Sequence, residues 1–172
     1  TMLTAAGFKP EFVLASDLPP IAGITNVTSS FPMPQYFQKP LVSVNVGGET
    51  YYLNDTDQYA RLGTTTADGK LGLAPASQSV MTIHAAKNCQ NKIETTYAVS
   101  LADDGRARIT IAQDYYGMNY NAKKHFFAEL PPEERNRYHQ KIVSDATQGA
   151  RPVGDLLTKF DTYPGREEFT VD

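Results

Sequence analysis

From residue 92 to residue 113 apolar and polar positions alternate with a period of two. Ile93, Thr95, Tyr97, Val99 and Leu101 fall on one side, Asp103-Asp104-Gly105 supplies a turn, and Ala107, Ile109 and Ile111 then face one way while Arg106, Arg108 and Thr110 face the other. That pattern predicts a β-hairpin with one wet side. A second hairpin is predicted over residues 40–54. Its strands are Pro40–Val46 and Glu49–Leu53, and Gly47-Gly48 forms the two-residue turn. Lys70–Ala74 and Ser79–His84 read as two further strands joined by a short loop.

The helical signal is concentrated near residues 132–147. Pro131-Pro132-Glu133-Glu134-Arg135 is a helix start, because proline tolerates a first turn whose N–H groups lack partners and carboxylates favour the positive end of the dipole. Tyr138, Ile142, Val143 and Ala146 then make an apolar stripe. A shorter helix between Asn121 and Leu130 would turn Phe126, Phe127 and Leu130 inward. The tail returns to strand at Leu156–Phe160 and Glu168–Val171 around a Tyr163-Pro164-Gly165 turn. Residues 17–38 hold four prolines and no sustained period, and read as a long irregular connection. The polar, aperiodic residues 85–91 are the expected domain boundary. The expected fold class is therefore α+β: mostly antiparallel sheet in β-sandwich-like modules, with one main amphipathic helix.

Composition narrows the function classes. A chain of 172 residues with 41% apolar content can bury a core, and a net charge of −3 gives no nucleic-acid footprint. No run approaches a membrane span, and no cofactor motif is present. The single cysteine, Cys89, excludes an intramolecular disulfide and a multi-thiolate metal site. Lys87 and Lys92 flank it, but an inert cysteine at a strand start is the simpler reading. His84, His125 and His139 are spaced by 41 and 14 residues and match no metal pattern. Asp55 and Asp57 could chelate a hard cation, although capping of the turn after Leu53 explains them as well. There are ten tyrosines and no tryptophan. Tyr115 and Tyr116 are candidate binding residues if exposed, and core residues otherwise.

The order of the 40–54 hairpin, the Leu53-Asn54-Asp55-Thr56-Asp57 end, Tyr59-Ala60 and Leu62-Gly63 resembles bacterial transglutaminase-like proteins of the papain-like superfamily. Met2-Leu3-Thr4-Ala5-Ala6-Gly7 and the run from Phe8 to Ala15 are similar to that family's helix end and following strand. The resemblance implies a thiolate, a histidine and an orienting acid or amide. Asn54 would stand at the orienting position with Asp55 beside it, and the nucleophile would lie upstream of Thr1, making the chain a truncated one. Where the family has its histidine this chain reads Tyr36-Phe37-Gln38-Lys39-Pro40. Residues from about 90 onward, through Tyr115-Tyr116-Gly117 and Leu130–Arg135, resemble the β-rich module that follows the catalytic domain. The implied domains are 1–84, the C-terminal portion of a transglutaminase-like domain, and 92–172, an accessory module.

Three functions are weighed. The first is a non-catalytic fragment, structural or protein-binding, whose partner is the rest of the parent or another protein and whose setting is the periplasm or cell envelope. The second is part of an active cysteine-dependent acyl-transfer or amide-hydrolysing enzyme. The third is a new hydrolase that combines Cys89, His84 or His125 and Asp55. The first is preferred, because neither glutamine nor lysine replaces an imidazole poised near neutral pH.

Overall fold

Gly47 and Gly48 both take positive φ (62° and 86°), the geometry that closes a two-residue hairpin without splaying its strands, and the Asn45 side-chain oxygen accepts from the Gly48 N–H at 3.2 Å. Strands β2 (Phe37–Val46) and β3 (Glu49–Leu53) leave this turn in the register Val46 opposite Glu49 through Val42 opposite Leu53. The computed structural model describes residues 2–54, 57–147 and 149–172. The chain divides into two units, Thr1–Gln90 and Asn91–Asp172. The α+β, mostly antiparallel architecture expected from the alternating pattern is the one the chain adopts.

The first unit opens with a short helix, α1 (Met2–Ala5), and then β1 (Glu11–Ser16), which pairs on one side with β2 and on the other with β4 (Leu71–Ala74). With β5 (Ser79–Thr82) the strands form a five-stranded antiparallel sheet ordered β3-β2-β1-β4-β5. Val13, Ala15, Leu41, Ala67, Ala74 and Ile83 make its core, with Tyr52 and Met81 packed against them. The connection over residues 17–38 is more ordered than the sequence suggested. It holds helix α2 (Ala22–Ser30) and a single 3-10 turn at Pro34–Tyr36. Thr, Ser, Val and Gly give α2 poor intrinsic propensity and hid it from a pattern search. Its Thr28 is buried, and Ile24 and Thr28 line a small cavity together with Ser16 and Leu71.

The second unit holds β6 (Lys92–Leu101), β7 (Ala107–Tyr116), α3 (Gly117–Glu129), α4 (Pro132–Ala146), β8 (Pro152–Lys159) and β9 (Gly165–Val171). Its sheet is ordered β6-β7-β9-β8, all antiparallel. α4 is the helix expected at 132–147. α3 begins four residues earlier than expected, because Gly117 at φ 60° lets β7 run straight into a helix while its N–H donates to the Tyr163 hydroxyl at 3.0 Å. Within each unit there is one sheet among the described residues, so each is a sheet covered by helices and loops, not a pair of facing sheets as in a sandwich.

One face of the second sheet is polar and paired. Arg108 grips Asp172 through two bonds of 2.7 and 2.8 Å, Arg166 holds Asp114 and Glu168, and the Thr110 and Thr170 hydroxyls meet at 2.9 Å. The Arg108 hydrogen bond keeps the Asp172 carboxyl below its usual range. Arg108 and Thr110 lie on the wet strand face expected from the alternation along β7. The opposite face meets the helices, with Ile111, Val143, Phe169 and Val171 at its centre.

Candidate functional site

Asn54 follows β3 and is exposed, while Asp55 and Thr56 lie outside the described residues. The Asp57 carboxylate accepts the Tyr59 N–H at 2.8 Å, a local turn cap of the kind aspartate makes after a strand. At the start of β2, the Gln38 amide donates to the Gln35 carbonyl at 2.8 Å, and Lys39 forms an exposed ion pair with Asp17 at 3.2 Å. Both side chains at the position where the family resemblance asks for a histidine are thus engaged locally.

Cys89 is 7% exposed and packs with Ala85, Ala86 and Tyr51. Its Sγ lies 3.8 Å from the Leu62 carbonyl oxygen. Burial of this kind makes a thiol inert, because alkylation needs both thiolate and access. Iodoacetamide is expected to label Cys89 in the folded chain at least about tenfold more slowly than in urea. Labelling faster than a free peptide thiol would reverse this assignment. His84 is exposed between buried Ile83 and Ala85, and His125 pairs with Glu129 one helical turn away at 2.9 Å. His139 departs from the solvated position expected of it. Its ring meets Phe169 edge-on at 6.5 Å and its Nε2 is shielded from water, because α4 rolls this side of the stripe onto the sheet. Among the described residues no group of three or more His, Cys, Asp or Glu could hold a metal ion.

The paired tyrosines separate. Tyr115 is 4% exposed, in a cluster with Tyr120, Phe127 and Phe160, so it is a core residue and not part of an exposed binding strip. The reason is parity, since successive residues of β7 point to opposite faces and Tyr115 shares the helix-covered side with Ile111. Tyr116 is half-buried on the other side. Its hydroxyl donates to Glu94 at 2.9 Å, and the Lys92 ammonium sits 5.3 Å from its ring centre.

Beneath Tyr115 lies a polar network that the sequence did not suggest. Glu167 on β9 is 2% exposed, and its Oε2 accepts from the Lys123 ammonium at 2.7 Å and the Tyr115 hydroxyl at 3.0 Å. Its Oε1 accepts from the Tyr138 hydroxyl at 2.7 Å, and Lys123 also donates to that hydroxyl at 2.6 Å. Burial, then the neighbouring carboxylate, pushes both tyrosines well above the ordinary phenol range. The Lys123 ammonium also lies 5.0 Å from the Tyr115 ring centre and 5.1 Å from that of Tyr138. With every oxygen partnered, the network ties α3 and α4 to the sheet.

The open surface of this unit is β6. All ten of its residues are exposed, including Tyr97 at 64% and Leu101 at 76%, although β7 pairs with it along its whole length. Ile93, Tyr97, Val99 and Leu101 share the face that α3 and α4 cover farther along the sheet. The expected alternation is present, but its apolar side lies uncovered because β6 is the outer strand. From Thr95 to Leu101 it has no charge, proline or glycine, the usual devices by which an outer strand discourages pairing.

No family model, curated protein or solved structure matches the chain. Among the described residues no helix is long and apolar enough to cross a membrane.

Proposed function

We propose that this chain is a non-catalytic, protein-binding module, the C-terminal portion of a transglutaminase-like protein, and that the β6 edge is its contact surface. The observation that carries this reading is the ten-residue strand exposed along its full length with an apolar stripe. Such an edge offers a row of N–H and C=O groups to an added strand, with side chains on alternate positions supplying selectivity. The family assignment rests on the motifs between Met2 and Gly63. The non-catalytic assignment is supported by Lys39 paired to Asp17, Gln38 bonded to Gln35 and the Cys89 thiol packed against Leu62.

Immobilised chain is expected to retain a protein from an extract of cells that express it. The double variant Tyr97→Lys, Leu101→Lys is expected to lose that partner at an unchanged thermal midpoint, since both side chains are exposed. Equal retention by the two would remove this reading.

A further inference from the structure

We propose that two copies of this chain associate by antiparallel pairing of their β6 strands about a two-fold axis at Tyr97. The proposal rests on β6 being a binding edge and adds the identity of what binds there. In an antiparallel pair, directly opposite residues point to the same face. Centring the pair on Tyr97 sets Tyr97 against its own copy, Thr95 against Val99 and Ile93 against Leu101, so the exposed apolar residues of one strand meet those of the other. Sliding the register by two residues sets Ile93 against Asp103, or Leu101 against Asn91. Sliding it by one turns the apolar faces to opposite sides.

Charge agrees with this register. Each β6 carries its charges at one end, Lys92 and Glu94, and leads at the other into the acidic turn Asp103-Asp104. Antiparallel pairing about Tyr97 sets Lys92, which stays paired with Glu94 on the polar face, opposite Ala102, and sets Asp103 opposite Asn91, so no like charges meet across the pair. Glu94 falls opposite Ser100, away from any carboxylate of the second copy. Joining the edges would convert two four-stranded sheets into one of eight and remove the unprotected edge from both copies. A single strand pair is a small interface, so the dimer should dissociate at concentrations on the order of micromolar or weaker.

Sedimentation equilibrium of the full chain tests this. Its mass is expected to rise from the monomer value of 18.9 kDa toward twice that as concentration increases. Val99→Lys, at an exposed position, is expected to raise the dissociation constant at least tenfold. Under oxidation Tyr97→Cys is expected to form a covalent dimer, because the two-fold places it against itself, whereas Thr95→Cys and the wild type with its buried Cys89 are not. A monomer at every concentration overturns the proposal, as does a dimer that survives Val99→Lys and does not link through Tyr97. A chain that stays monomeric, yet binds another protein through β6, overturns the dimer and leaves the binding-module reading standing.

Discussion

Glu167→Ala is expected to destabilise the second unit by about 3 kcal/mol, the lower end of the cost of breaking a buried ion pair. The carboxylate is 2% exposed and is the acceptor for Lys123 and Tyr138, so truncation leaves both donors without it, while the Tyr115 hydroxyl, 3.0 Å from Glu167, keeps the Gln113 side-chain oxygen at 2.6 Å. Lys123 retains a quarter of its side-chain exposure and can turn toward water, which keeps the loss from the upper end of that range. Glu167→Gln preserves shape and an acceptor and is expected to cost about 1–2 kcal/mol. Urea unfolding midpoints at constant m-value measure both. A loss below about 1 kcal/mol for the alanine variant would mean that the network contributes no more than an exposed pair.

The same network shapes the alkaline limb. Tyr115 and Tyr138 have folded pKa values raised above those of the unfolded chain, first by burial. The unfolded state therefore loses its phenol protons first. Stability is full below about pH 10 and falls as pH rises above it, by about 1.4 kcal/mol per pH unit for each tyrosine. Tyr138→Phe should make that decline shallower by one such increment, and an unchanged slope would show that this phenol ionises freely in the folded chain.

Gly165→Ala is expected to cost about 3 kcal/mol, at the upper end for overpacking a filled core. A Cβ at this position would lie 2.3 and 2.4 Å from two ring carbons of Phe160 and 2.8 Å from one of Tyr120. Neither ring has room to retreat. Phe160 stacks on Phe127 at 5.3 Å, and Tyr120 meets Tyr163 edge-on at 5.0 Å while its hydroxyl donates to the Phe160 carbonyl at 3.0 Å. Thermal unfolding provides the measurement. A variant with the wild-type midpoint would mean that this aromatic cluster is loosely packed.

How much was legible in the sequence depended on the range of the interactions concerned. Gly47-Gly48 and Asp103-Asp104-Gly105 specify their turns within a few residues, and both hairpins were read correctly. Helix α4 announces itself by Pro132, Glu133 and Glu134. Helix α2 did not, because Thr, Ser, Val and Gly give it little propensity of its own and the burial of Thr28 is set by the fold around it. The candidate surfaces divide in the same way. Alternation along β6 was plain, but the same alternation serves a covered strand and an outer one.

The sequence by itself determined the α+β class, the two hairpins, the main helix and which face of β7 is wet, because each follows from turn chemistry or side-chain period over short spans. Only the tertiary structure decided that Tyr115 is buried while Tyr97 is not, that β6 has a free edge, and that Lys123 meets Glu167 across 44 residues of chain. These depend on strand order and on where the helices lie over the sheet, and long-range contacts of that kind leave no periodic trace in the order of residues.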